Sequence, residues 1–438
     1  MDGSRRVMSK RAFLATAGVT LTAGCLGTAE TEPDGSANAT ADPDDPEPES
    51  ESEREPESEE PTLFLDGDPR TELWDRGESW QDCESFERWE VLAGSLEPSG
   101  NAYRGTQSAR LRSAGDGEVR VRIPLSGFDL TETTFSLAMY VASPGDHYSP
   151  SFDVNAPDCG RELHFRTRHK IDEPGWIRYD LGINHTSSLE STEEAYMTIA
   201  WAGSDVDLLL DDLRAVPVEG DPTLFVQFDD SLRTTYDAAF PVMQEYGIPA
   251  TVFTITGREG ASRHLTLSEM EEMHEAGWEF ASHTHTHRRT GELPLDEQRE
   301  EFERSKQWLL DHGFGEAASM IAYPFGSFTT ETMEIAADYY DFATHGQRGA
   351  MNRNVSSPLS VNRHPGDDPG RAMALIDVLL DERLPTDTLV LYYHDVIENH
   401  DIWIDPESFE ETMAYIDERN VDCRLTTELR GHQFDRSR

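Results

Sequence analysis

His283-Thr284-His285-Thr286-His287 follows directly on the run Trp278-Glu279-Phe280-Ala281-Ser282. Trp278 to Ala281 is short, apolar and aromatic, the pattern of a buried strand. The histidines therefore stand where a strand ends and a loop begins. On an α/β scaffold that is a position where a rigid strand aims side chains and a loop bends them inward. Three imidazoles within five residues each carry ring nitrogens that need partners if buried. A divalent metal is one such partner. A polar surface loop that happens to be rich in histidine is the other reading, and this segment alone does not separate the two.

Working outward, strands and helices alternate from Thr223 onward. Leu224-Phe225-Val226-Gln227-Phe228 is apolar and ends in Asp229-Asp230. Ala250 to Ile255 reads as a second strand. Thr266-Leu267-Ser268-Glu269 matches a capping box and opens a helix that stops at Gly277. A longer helix is expected from Asp296 to His312. Met320-Ile321-Ala322-Tyr323 is a strand before Pro324-Phe325-Gly326. Leu389 to Tyr393 is a late strand ending in His394, and Glu407 to Arg419 reads as a last helix. Repeated β-α units over about 210 residues suit a parallel sheet that closes, or nearly closes, into a barrel. In such a barrel the C-terminal strand ends meet at one mouth. Asp229, Asp230, the His283–His287 cluster, Tyr323 to Gly326 and His394 all fall there. A double Asp after a strand is often only a turn or helix cap. Four such coincidences at successive strand ends are harder to dismiss.

Phe228-Asp229-Asp230, His283-Thr284-x-x-His287, Tyr323-Pro324-Phe325-Gly326 and Leu391-x-x-His394 resemble the ordered motifs of the polysaccharide deacetylases with a NodB-type domain. The resemblance implies a distorted (β/α) barrel and metal-dependent removal of acetyl groups from amino sugars. It implies that Asp230, His283 and His287 bind a divalent metal, with zinc the default for one oxygen and two nitrogen ligands. Asp229 would be the general base and His394 the acid that protonates the leaving amine. The backbone N–H of Phe325 would help stabilise the oxyanion, with Tyr323 beside it on the substrate side. Thr284 would brace the ligand loop, and His285 has no part in the motif. Ala322 departs from the family, many members of which carry there an Arg that pairs with the catalytic carboxylate. Arg363, in Val361-Asn362-Arg363-His364-Pro365, is the candidate replacement. His345 ends another strand and is expected to be structural rather than a substrate contact.

Between residues 62 and 218 the pattern changes to short alternating runs such as Glu118-Val119-Arg120-Val121-Arg122-Ile123. Period-two alternation with Gly, Pro, Asp and Asn between the runs predicts an antiparallel β-sandwich. Phe86-Glu87…Trp89, Tyr103-Arg104-Gly105 and Leu210-Asp211-Asp212-Leu213 resemble jelly-roll carbohydrate-binding modules, which implies glycan binding; a spacer is the competing reading. Glu87, Asp211 and Asp212 are candidate oxygen ligands for a structural calcium, against the alternative of solvated carboxylates. Cys83 and Cys159 are either a disulfide or two buried thiols.

The 438-residue chain has a formal net charge of −48, and Lys10, Lys170 and Lys306 are its lysines. So much like charge repels itself unless salt screens it, which points to concentrated salt as the solvent. It also argues against nucleic acid as a partner and against electrostatic adhesion to anionic lipid. Residues 1–25 read as an export signal: a basic head, a short apolar run, then Leu21-Thr22-Ala23-Gly24-Cys25, which resembles a lipobox with Thr22 in the place of a branched apolar residue. Cys25 is the expected lipidation site. Residues 26–61 are acidic and rich in Pro and Ser, and are expected to form a disordered tether. The whole reads as a multidomain protein, a β-sandwich followed by a distorted (β/α) barrel at 221–432. The expected function is a hydrolase at the outer face of the membrane, held by lipid alone, that N-deacetylates a surface or extracellular polysaccharide. A hydrolase of non-sugar amides and a weakly active glycan-binding lipoprotein are the rivals.

Overall fold

A computed structural model describes residues 76–113, 117–141, 150–166, 173–202, 206–346, 349–400 and 402–434. The expected export signal, Cys25 and the acidic tether lie outside the described residues.

Among the described residues, twelve strands make the first half: β1 (Glu78–Gln81), β2 (Glu90–Ala93), β3 (Ser95–Ser99), β4 (Ser108–Arg112), β5 (Glu118–Pro124), β6 (Thr133–Val141), β7 (Ser151–Ala156), β8 (Arg161–Arg166), β9 (Trp176–Asp180), β10 (Ile183–Ser187), β11 (Tyr196–Ala202) and β12 (Asp207–Pro217). They pair antiparallel in two sheets, β3-β4-β12-β6-β9 with β1 against β12, and β10-β8-β7-β11-β5-β2. The alternation read in β5 is realised: Val119, Val121 and Ile123 are buried, while Arg120 is exposed. Their inward faces join Leu137, Phe152, Phe165, Tyr179, Met197 and Leu208 in one apolar cluster. Burying each large side chain of this kind contributes roughly 1.5–3 kcal/mol, which makes a sandwich the stable arrangement.

Two expectations for this half are settled by its contacts. Asp211 Oδ2 accepts hydrogen bonds from the Tyr103 and Arg104 amides at 2.7 and 3.0 Å, and Oδ1 accepts from the Asp212 amide at 2.7 Å. Asp212 is buried against the guanidinium groups of Arg178 and Arg214, and Glu87 is exposed. N–H donors and arginines occupy the oxygens that calcium would need at Asp211 and Asp212, so the calcium reading is corrected: these two carboxylates are structural, and Glu87 faces solvent. Cys83 and Cys159 are both free, buried thiols. Burial pushes both thiols up, away from thiolate chemistry.

The second half is a closed parallel barrel of β13 (Thr223–Phe228), β14 (Thr251–Thr254), β15 (Glu279–Ser282), β16 (Met320–Ala322), β17 (Phe342–Gly346), β18 (Val361–Pro365) and β19 (Thr388–Tyr393). Closure comes from β13, which pairs with both β14 and β19. A short β20 (Asp422–Arg424) runs beside the first half of β13. Both faces of a barrel strand are covered, so β13 reads as a continuous apolar run and all six of its residues are buried. The helices are α1 (Phe240–Tyr246), α2 (Leu267–Glu275), α3 (Leu295–Asp311), α4 (Thr330–Ala337), α5 (Pro369–Leu380), α6 (Pro406–Glu418) and α7 (Thr426–Phe434). The capping box at α2 is formed as read, Thr266 to the Glu269 amide and Glu269 back to Thr266.

Sandwich and barrel form one compact unit. Ile183 and Ala350 exchange backbone hydrogen bonds of 2.7 and 2.9 Å. The Asp180 carboxylate accepts from the Ser356 amide and hydroxyl, both at 2.8 Å, and Arg371 donates to the Asn184 carbonyl at 2.8 Å. At Gly349 the chain takes φ +111°, and a Cβ there would lie 2.7 Å from the Gly182 backbone. Only glycine permits both that conformation and that approach.

Candidate active site

Strand register assembles the site. Phe228 pairs with Tyr393, so Asp229 and His394 leave adjacent strands at one level, and the Asp229 amide donates to the Tyr393 carbonyl at 2.9 Å. Thr254 pairs with Ser282, and the His283 amide donates to the Thr254 carbonyl at 2.8 Å. Beyond these points the backbone leaves the regular regions. Asp230, Ser231, Thr284, His287 and Phe325 all have positive φ, between +49° and +70°. Non-glycine residues held there store strain, and such residues cluster at functional sites.

Asp230, His283 and His287 each place one ligand atom within 4.8 Å of the others. His283 Nε2 is 3.5 Å and His287 Nε2 is 3.1 Å from Asp230 Oδ1. His283 Nδ1 lies 2.7 Å from the Ala322 carbonyl, so Nδ1 carries the hydrogen and the Nε2 lone pair faces Asp230. Burial pushes the His283 pKa down to about 4, with Asp229 pulling against it, so the ring is neutral at pH 7. Burial would raise the Asp230 carboxyl, but the imidazoles of His287 and His283 hold it below the usual carboxylate range. Asp230 Oδ1 is buried and makes no well-aligned hydrogen bond. A desolvated carboxylate oxygen without a hydrogen-bond donor, facing two imidazole nitrogens, fits a divalent cation. Among the described residues this is the one such cluster of His, Cys, Asp and Glu.

Asp229 borders this cluster, its Oδ2 4.0 Å from His283 Nε2. Its carboxylate takes a two-pronged ion pair from Arg363, with Nη1 to Oδ1 at 2.8 Å and Nη2 to Oδ2 at 2.6 Å. The guanidinium lies over the Tyr392 ring at 4.2 Å and also donates to Gln227 at 3.2 Å. Burial would raise the Asp229 pKa, but Arg363 first, then His283 and His394, hold it below the ordinary carboxylate value. The guanidinium absent at Ala322 is thus supplied from β18. His394 Nε2 is 3.8 Å from Asp229 Oδ2, and the ring lies against Trp403 with centroids 4.6 Å apart.

Residues 218–340 match the family model described as "Polysaccharide deacetylase". This part of the chain is a polysaccharide deacetylase domain. The match ends before Arg363 and His394, which the barrel nevertheless brings to the same mouth. The deacetylase domain is similar to YxkH of Bacillus subtilis, 33% identical over 132 residues, which cover 30% of this chain and 47% of that protein. It is also similar to the poly-beta-1,6-N-acetyl-D-glucosamine N-deacetylase of Staphylococcus aureus, 29% identical over 149 residues, 30% of this chain and 51% of that one. The chain thus spans about half the length of these curated relatives. A solved Streptococcus pyogenes deacetylase in complex with acetate is 30% identical over 35% of this chain and 69% of its own, with a TM-score of 0.31.

One residue in the deacetylase domain sits differently from expectation. Tyr323 is fully buried, stacked on Phe328 at 4.9 Å, so its ring belongs to the core and not to the substrate side. Phe325 does reach the surface: it is 50% exposed, and its ring lies 4.7 Å from that of His287. His345 is buried beside Ser360, 2.9 Å from its hydroxyl, a structural position as expected. Thr284 Oγ1 accepts from the His287 amide at 3.1 Å. His285 turns away, between Thr256 at 3.0 Å and Arg304 at 2.8 Å.

Sequence reading missed Glu301, which organises the histidine loop from α3. Its carboxylate accepts from the His285 amide at 3.0 Å, the Thr286 amide at 2.7 Å, and Arg288 at 3.1 Å. The signal was present: Glu301 lies on the buried stripe of Gln298, Phe302, Ser305 and Leu309. A carboxylate on an apolar helix face must find donors. Asp395, beside His394, is likewise buried and accepts from Thr234 and Arg263 at 2.5 and 3.0 Å.

Proposed function

We propose that the protein is a metal-dependent hydrolase that removes N-acetyl groups from an amino-sugar polysaccharide. The observation that carries this is the meeting of two chemically distinct halves at one barrel mouth: the Asp230–His283–His287 cluster, and the Arg363–Asp229 pair beside His394. Zinc is the cation the donor set favours. When bound, it would supply Lewis-acid polarisation of the amide carbonyl and acidify a water. Asp229, kept ionised by Arg363, is placed to take the proton from the attacking water. His394, in its protonated form, is placed to give a proton to the nitrogen as the C–N bond breaks, so that acetate and an amine leave. The left-handed turn at Phe325 is the backbone position proposed to donate to the oxyanion. Relatives named for poly-beta-1,6-N-acetyl-D-glucosamine make a β-1,6-linked N-acetylglucosamine polymer the first substrate to try.

The test is acetate release from acetylated amino-sugar oligomers by zinc-loaded protein in concentrated salt. Release that Asp229→Asn abolishes, while the variant still binds zinc, supports the enzyme. Zinc and glycan binding without acetate would favour a binding module, and release only from simple amides would favour the non-sugar hydrolase. We further propose that the chain is exported and held to the outer membrane face by lipid on Cys25, since a basic head, apolar run and lipobox-like Cys occur in that order. Partitioning into detergent that survives Cys25→Ser would overturn the anchor.

A further inference from the structure

At the same end of the barrel a cleft of about 790 Å³ opens between the barrel and the sandwich. Pro365, Asp367, Asp368, Arg371 and Ile402 line it from the barrel, and Asn184 and His185 of β10 line it from the sandwich. Its size lies within the ~300–1,000 Å³ range of small-molecule sites.

Three observations connect it to the site. Pro365 ends β18, the strand that carries Arg363 two residues earlier, so the cleft floor continues from the Asp229 pair. Ile402 adjoins Trp403, whose ring rests against His394. The walls also present groups that await a donor. Asn184 Oδ1 and Asp367 Oδ1 each lack a hydrogen-bond partner among the described residues, although the Asp367 carboxylate also accepts from the Ile404 amide. Leaving two buried acceptors unsatisfied is costly unless something supplies hydrogens. Opposite polarity would be met by a ligand dense in hydroxyl groups. His185, stacked on His164 with centroids 4.2 Å apart and planes 14° from parallel, offers a flat face of the kind a sugar ring can lie against. The two walls are locked together by the Ile183–Ala350 backbone pair and the Arg371–Asn184 hydrogen bond. Such a site would be preorganised, with little ordering cost on binding.

We infer that this cleft seats a neighbouring sugar of the same glycan chain whose acetamido group is presented to Asp229 and His394, which makes β10 part of the substrate-binding surface. The inference rests on the deacetylase reading and deepens it: the substrate is an oligomer that crosses from barrel to sandwich. It assigns the sandwich a direct part in substrate recognition, beyond that of a spacer.

The experiment measures kcat/KM for acetate release from β-1,6-linked N-acetylglucosamine oligomers of different lengths, dimer against hexamer. Wild-type protein should favour the hexamer. In Asn184→Ala combined with His185→Ala the hexamer-to-dimer ratio should fall about tenfold, the loss expected for one or two hydrogen bonds. A second measurement needs no variant: hexamer added to wild-type protein should slow amide hydrogen exchange in residues 183–187. An unchanged ratio in a variant that melts like wild type, or no protection of those amides, overturns the inference while leaving the deacetylase reading standing. Failure of the wild-type protein to release acetate from any oligomer would overturn both.

Discussion

At the scale of single residues, the Asp229–Arg363 pair sets what the site can do with a proton. Both side chains are 3% exposed, so the pair interacts with little help from water. A buried pair that loses one partner leaves an uncompensated charge, at a cost of about 3–5 kcal/mol. Arg363→Met should therefore unfold at lower urea by an amount in that range. The sign with pH follows from the lowered Asp229 pKa. A carboxyl depressed on folding stabilises above its unfolded value, about 3.9, and that stabilisation is lost as pH falls through the folded value. The difference between Arg363→Met and wild type should thus shrink from neutral pH toward acid. Without the guanidinium the Asp229 pKa rises, so the acidic limb of the kcat/KM profile should move to higher pH. An acidic limb that stays put would mean that Asp229 is not the base. The pairing was legible in part: Ala322 showed that a cation was missing, and Arg363 was a strand residue close enough in order to fill the gap. Tyr323 was misread because it follows a three-residue strand that is buried on every side. A period of two cannot say which way a residue turns once both faces are core.

At the scale of elements, the histidine loop is held from two sides by groups that carry no motif. Glu301 gathers the amides of His285 and Thr286, while the Gly257 amide donates to the His285 carbonyl at 2.8 Å. Glu301→Ala would take the acceptor from those part-buried amides, at about 0.5–1.5 kcal/mol. Because the loop aims both imidazoles, zinc affinity should fall about 10–100-fold, as for other outer-shell partners. Competition against a chromophoric chelator would read this, and an affinity equal to wild type would show that the histidines hold themselves. Gly257 tests the other side. A Cβ there would meet the His285 carbonyl oxygen at 2.5 Å, and backbone cannot swing aside as a long side chain can. Gly257→Ala should cost about 1–3 kcal/mol of stability by overpacking and weaken zinc as well. Equal urea midpoints for the two proteins would mean that the loop has slack. The barrel strands and the capped helix α2 were legible because each satisfies its own local rule. Helices α1, α4 and α5 were not: α1 is seven residues and α4 eight, too few for periodicity to stand out, and α5 opens with Pro-Gly, a turn signal. Their helical state is set by packing on the barrel.

At the scale of the whole molecule, charge is the term that the fold does not neutralise. The net charge of −48 lies on a chain whose cations are almost all committed as arginine. Several of those arginines are spent inside, Arg178 and Arg214 on Asp212 and Arg363 on Asp229. The excess carboxylates on the surface therefore repel one another with few counter-charges nearby. Salt changes this in a predictable order. The Debye length is about 10 Å at 0.1 M and about 3 Å at 1 M, so most of the repulsion between neighbouring surface groups should be gone by about 1 M. The melting temperature should rise steeply over that range and more gently above it, where excluded salts act by strengthening apolar burial. The two contributions separate by choice of salt. Below about 1 M, chloride and sulfate should act alike at equal ionic strength; above it, sulfate should be the stronger. The buried pairs are screened far less, so the urea penalty of Arg363→Met should be nearly the same at low and high salt. A melting temperature that is flat between 0.1 and 1 M would show that the acidic surface is not under strain, and that the charge must be explained by something other than the solvent.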